Sequence, residues 1–176
     1  MSKRLPERID PYRLADQRRI LEGTYALDKM PRLSEVAEQS SGEVHVRFEF
    51  DRSAQGHAEL EGHIEAELAL ICQRCLSPMD YPVKLDIHLA IVPSDALANE
   101  LQDEVDVTVV PEDLFLRDFI EDELMLALPQ IPRHESEEDC DEVARQYLHV
   151  DFEQDMDQQE KQENPFSVLS ELKTKH

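Results

Sequence analysis

Tryptophan is absent from this 176-residue chain, and glycine occurs only four times. So little glycine argues against a glycine-rich phosphate loop, which needs several in one short run. No apolar run approaches the roughly 20 residues that a membrane helix requires. The amino end, Met1-Ser2-Lys3-Arg4-Leu5-Pro6-Glu7, lacks the apolar stretch of a signal peptide. Together these absences predict a cytoplasmic protein with no membrane contact. Three cysteines in a reducing compartment do not suit a disulfide framework. No Ser/His/Asp motif or metalloprotease pattern is present, so no enzymatic activity is expected.

Positive charge is scarce as well. Lys and Arg number 18 against 40 Asp and Glu, for a formal net charge of −22. Such a balance repels phosphate backbones and suits a basic protein partner. The imbalance is uneven along the chain. Basic residues gather near the amino end, where Arg13, Arg18 and Arg19 are the candidates for any direct RNA contact. Between Glu135 and Glu163 acids dominate, with only Arg145 and Lys161 opposing Glu137, Glu138, Asp139, Asp141, Glu142 and those that follow. The plain reading of that stretch is a solvated, flexible segment.

Asp10-Pro11 has the form of a helix start, with Asp10 as N-cap and Pro11 in the first turn. Leu14, Ile20 and Leu21 supply a partial apolar face, and Gly23 ends the expected helix. A second short helix is expected from Met30-Pro31 to Glu38. From Val44 the period changes to two. Val44, Val46, Phe48 and Phe50 alternate with polar residues, as do Leu60, Ile64, Ala66, Leu68 and Leu70, then Tyr81, Val83, Leu85, Ile87, Leu89 and Ile91. This pattern predicts half-buried strands, with Val105, Val107 and Val109 as a fourth. Short links between them favour antiparallel pairing. Ser94 to Asp103 reads as a mobile polar connector. Pro111 to Leu128 keeps helical spacing until Pro129 stops it, which suits a helix covering the sheet.

Cys72-Gln73-Arg74-Cys75 falls between two of these strands. A tight turn can aim both thiolates at one tetrahedral ion, but one CxxC pair is half a zinc site. His134 and Cys140 are candidates to complete a Cys3His set around one structural zinc. The bland alternative places Cys72 in the core with Cys140 as a free thiol. A redox role is the third possibility, although a thioredoxin-like pair opens a helix and this one leads into a strand. The acids Glu121, Asp122 and Glu123 fan around their helix rather than converge, so they read as a solvated face.

Four motifs then occur in order: Cys72-Gln73-Arg74-Cys75-Leu76-Ser77-Pro78, Ile120 to Pro129, Pro132-Arg133-His134 with Cys140, and Asn164-Pro165-Phe166-Ser167-Val168-Leu169. In that order and across nearly the full length, the chain resembles the YceD family of bacterial large ribosomal RNA subunit accumulation proteins. The resemblance implies a factor in the synthesis, processing or stability of large-subunit (23S) ribosomal RNA, with no catalytic residue to carry over. It draws attention to Cys72, Cys75, His134 and Cys140, and to Glu121, Glu123, Asn164, Pro165, Phe166, Val168 and Leu169 as partner contacts.

The expected fold is α+β, an antiparallel sheet or small partial barrel with one covering helix. Its parts are an N-terminal helical element (1–42), a core of sheet and covering helix (43–134), an acidic flexible segment (135–163) and a C-terminal apolar motif (164–176). The expected role is that of a non-enzymatic ribosome-biogenesis factor. It would work with components of the ribosomal RNA pathway, through a basic ribosomal or processing protein. The alternatives are direct RNA binding by the amino-terminal arginines and a thiol- or zinc-dependent enzyme. No other cofactor is implied.

Overall fold

The computed structural model describes residues 5–38, 42–103 and 105–148. The described residues up to Glu135 form one compact unit, and those described from Ser136 belong to a second. The first unit is built on three long strands: β3 (Glu43–Arg52), β4 (Ala58–Ile71) and β5 (Pro78–Val92). Numbering from the amino end, two strands and two short helices precede them: β1 (Arg8–Ile9), α1 (Pro11–Asp16), β2 (Ile20–Ala26) and α2 (Leu33–Val36). After β5 come α3 (Asp95–Leu101), β6 (Asp106–Val109), β7 (Leu114–Phe115) and α4 (Leu116–Ala127). The main sheet has the order β2-β3-β4-β5-β6 and is not closed into a barrel; β1 and β7 pair separately.

The alternation of the long strands sets which face is buried. Val44, Val46, Phe48 and Phe50 face inward with Leu60, Ile64, Leu68, Val83, Ile87 and Leu89. Leu116, Phe119, Ile120 and Leu124 of α4 join the same core. Each fully buried side chain of this size stabilises the fold by about 1.5–3 kcal/mol relative to leaving it in water. Phe48 meets Phe119 edge to face, with ring centroids 6.0 Å apart. Its ring also lies over Gly62, where an added Cβ would fall 2.1 Å from Phe48 Cδ1.

Three stretches of the first unit depart from the sequence expectation. The helix that starts at Asp10 ends at Asp16, and Ile20–Ala26 is a strand paired antiparallel with β3. Asp10 does cap it, its carboxylate accepting from the Arg13 amide at 2.9 Å. Leu14, Ile20 and Leu21 are too widely spaced to hold a longer helical face, whereas the edge of β3 offers ladder bonds. Segment 1–42 therefore contributes a strand to the sheet as well as helical turns. The connector 94–103 holds α3, whose crossover returns β6 parallel to β5, not antiparallel. The covering helix begins at Leu116 rather than Pro111, because Leu114 and Phe115 pair with Ile9 and Arg8. In the second unit Asp141 caps α5 (Glu142–Leu148), accepting from the Val143 amide at 2.9 Å.

Glu121 departs from the solvated-face reading. It is 1 % exposed. One carboxylate oxygen accepts from the backbone amide of Leu33 at 2.9 Å, and the other from Nε and Nη2 of Arg32 at 3.1 Å each. Arg32 also pairs with Asp122 and donates to the Asp118 carbonyl at 3.1 Å. The carboxylate thus ties α4 to the first turn of α2.

Two substitutions test this packing. Glu121→Ala leaves the Leu33 amide without its partner and should cost about 2 kcal/mol in urea unfolding, discounted because Arg32 remains half exposed. A cost under about 0.5 kcal/mol would mean that the tie carries little. Gly62→Ala pushes against the Phe48 ring and should cost about 1–3 kcal/mol in the same assay. Phe48→Leu should restore part of that loss.

Candidate metal centre

Where β4 ends, the chain reverses through Cys72-Gln73-Arg74-Cys75-Leu76 and enters β5. The reversal is closed by two backbone bonds, Leu76 N–H to Cys72 O at 2.8 Å and Cys72 N–H to Ser77 O at 3.0 Å. Leu76 takes a φ of +59°, a left-handed conformation that non-glycine residues rarely adopt, and this completes the turn. Pro129 stops α4, and the segment after it runs to the same turn. The Gln73 amide donates to the Pro132 carbonyl at 2.8 Å, and Arg74 Nη2 donates to the His134 carbonyl at 3.1 Å. These two bonds hold His134 against the knuckle. Its Nδ1 lies 3.4 Å from the Cys75 sulfur.

The sequence analysis placed His134 and Cys140 as candidates to complete the CxxC pair. The ligand atoms of Cys72, Cys75 and His134, all in the first unit, lie within 4.8 Å of one another. The three cysteines are buried and carry no disulfide. Within the second unit, the Cys140 amide donates to the Glu137 carbonyl at 3.1 Å, in the turn before α5.

Burial pushes the Cys72 thiol up. That effect is outweighed by the amides of Cys75, His134 and Arg74, together with the Cys75 thiol, and the group titrates at about 6. Backbone donors aimed at sulfur favour the thiolate, which is the form that binds metal. For His134 burial acts downward, but hydrogen bonds to Cys72 and Cys75 raise it above its ordinary value. The two thiols of the knuckle and the His134 imidazole supply three of the four donors that tetrahedral zinc takes. The donor set therefore fits the metal.

Gln73 and Arg74 were missed as positioning residues. They fall inside the CxxC motif, but the motif does not reveal their positioning role, because their partners are carbonyls some sixty positions away. The other nominated residues do not join this group. Glu121 is spent on Arg32 and Leu33. Glu123 is partly exposed, and burial, then Asp122 and Asp106, push its carboxyl upward. Arg13, Arg18 and Arg19 are exposed at the amino end, with Arg18 paired to Asp51 at 3.1 Å. Asn164, Pro165, Phe166, Val168 and Leu169 lie outside the described residues. Among the described residues no helix is long and apolar enough to cross a membrane.

No solved structure matches this chain. Among curated proteins, a Large ribosomal RNA subunit accumulation protein YceD from Haemophilus influenzae (strain ATCC 51907 / DSM 11121 / KW20 / Rd) is 29% identical over 174 residues, covering 98% of this chain and 98% of that protein. Residues 60–173 match the family described as Large ribosomal RNA subunit accumulation protein YceD. That match takes in both cysteines of the knuckle, His134 and Cys140, and the chain belongs to the YceD family.

Proposed function

We propose that this protein supports the accumulation of large-subunit (23S) ribosomal RNA in the cytoplasm, without catalysing a reaction, by holding a basic ribosomal or processing protein. The observation that carries the pathway is the near full-length likeness to a relative named for large ribosomal RNA subunit accumulation. The mode of action rests on charge. On the outer face of the sheet, Arg47, His63 and Lys84 already have acidic neighbours. Arg47 pairs with Glu22 at 3.0 Å and Glu49 at 2.7 Å. His63 lies 2.8 Å from Asp86 and 3.0 Å from Glu65, which Lys84 also meets at 3.3 Å. Glu59, Glu61 and Glu67 have no cationic partner among the described residues. A face with this surplus of carboxylates attracts lysines and arginines and repels phosphates.

Within this reading, Cys72, Cys75, His134 and Cys140 hold one structural zinc. All four positions go to protein ligands, so the ion serves folding and has no open position for substrate. It would link the β4–β5 turn to the segment that follows α4.

Two measurements check these assignments. The tagged protein, recovered from growing cells with and without ribonuclease, should retain a basic protein after the RNA has been removed. Retention of ribosomal RNA fragments by the purified protein alone, with a steep salt dependence lost on reversing Arg18 and Arg19, would favour direct RNA binding. For the metal, reduced protein should carry about one zinc per chain, and Cys75→Ser should lose it. Chelation should lower the unfolding midpoint by about 5–10 °C. Metal-free protein whose midpoint ignores the chelator would remove the zinc.

A further inference from the structure

The outward edge of β5 is unevenly used. Its other edge pairs with β4 without interruption from Pro78 to Ile91, but β6 covers the outward edge only from Leu89 to Val92. The direction of the backbone groups follows from two observations. The Val92 carbonyl accepts from the Val110 amide at 2.8 Å, on the side of β6. Residues of the same parity share that edge. Pro78 and Pro82, which lack an N–H, have the same parity, as expected where no ladder bond is required. Lys84 and Asp86 therefore point their amides outward, and among the described residues neither has a backbone acceptor there.

The two prolines blunt the first half of the edge against pairing. The second half is open, and it leads into a groove of about 270 Å³ where β6 begins. Asp86, His88, Asp106 and Glu123 line that groove. Asp106 and Glu123 have no cationic partner among the described residues. Lys84, on the same edge, already meets Glu65 at 3.3 Å.

We propose that the β5 edge from Lys84 to His88, with the groove formed by Asp106 and Glu123, receives a short extended segment of a basic protein as an added strand. Main-chain bonds to Lys84 and Asp86 supply the pairing, and the carboxylates select lysine or arginine side chains. A second copy of this chain is a poorer occupant, because each carries a net charge of −22. The proposal deepens the reading above and rests on a basic protein being the partner. It names where that partner binds and in what conformation.

The test uses the full-length protein and a synthetic probe of about ten residues alternating Lys and Val. A second probe has the same sequence with alternate backbone amides N-methylated, which keeps the charge and blocks pairing along one edge. The plain probe should slow hydrogen exchange at the Lys84 and Asp86 amides. The methylated probe, and the plain probe on Lys84→Pro, should bind about tenfold more weakly. Glu123→Gln with Asp106→Asn leaves the backbone intact, so its weakened binding would read the charge contribution even if the proline variant fails to fold. Equal binding of the two probes, or exchange unchanged at Lys84 and Asp86, overturns the proposal. So does a homodimer that Lys84→Pro abolishes, or a ribosomal RNA fragment that protects these amides where the peptide does not. A cellular partner still retained by folded Lys84→Pro would remove the edge and leave the proposed function standing. Edge protection by the probe, with no basic protein retained from cells, would do the reverse.

Discussion

Fourteen residues of β4 lie against β5, from Ala58 opposite Ile91 to Ile71 opposite Pro78, with no break in register. A slip of one position would turn Leu60, Ile64 and Leu68 to water and bury Glu61, His63 and Glu65. The hydrophobic cost of that slip holds the pairing in place, and three things depend on the pairing. The inner face meets α4, the outer face collects the carboxylates, and the turn at the end of the hairpin presents Cys72 and Cys75. A shift would move the thiols away from the segment bearing His134. Core, charge and candidate metal centre are therefore fixed by one ladder.

The parts of this arrangement governed by period-two alternation were legible in the sequence. Val44 to Phe50, Leu60 to Leu70 and Tyr81 to Ile91 identify the three long strands and their buried faces. Elements that depend on a distant partner were not legible. Ile20 to Ala26 has no clean alternation, and its role as a strand comes from the free edge of β3. β6 is only four residues long, and its parallel direction depends on the α3 crossover. Glu121 sits in a run of three acids whose neighbours are more exposed, so sequence alone could not show that this one faces Arg32 and the end of α2. Its partner Arg32 lies 89 positions away.

The candidate metal centre divides in the same way. Cys72 and Cys75 announce themselves by spacing, and His134 and Cys140 stand out only as the candidates that could complete the pair. What brings His134 to the knuckle is a pair of hydrogen bonds from Gln73 and Arg74 to main-chain carbonyls, and carbonyls leave no mark in a sequence. The amides that favour the Cys72 thiolate are equally invisible, because every residue but proline has one. The composition did indicate the sign of the charge. It could not show that Arg47, His63 and Lys84 are already matched by acids on the outer face.

The pairing of β1 with β7 bears on how the chain is made. Arg8 and Ile9 find their strand partners at Phe115 and Leu114, and the Leu116 amide donates to the Glu7 carbonyl at 3.0 Å. During vectorial synthesis the amino end must therefore remain without those partners until residue 116 has been made. Contacts of such long sequence separation close slowly, because the entropy of ordering the intervening chain is lost before the contacts form. The β3–β4–β5 hairpins can assemble earlier from neighbouring segments. Leu5 and Ile9, buried in the finished protein, spend that interval in water, which makes the nascent amino terminus the part of this protein most dependent on the completion of the rest.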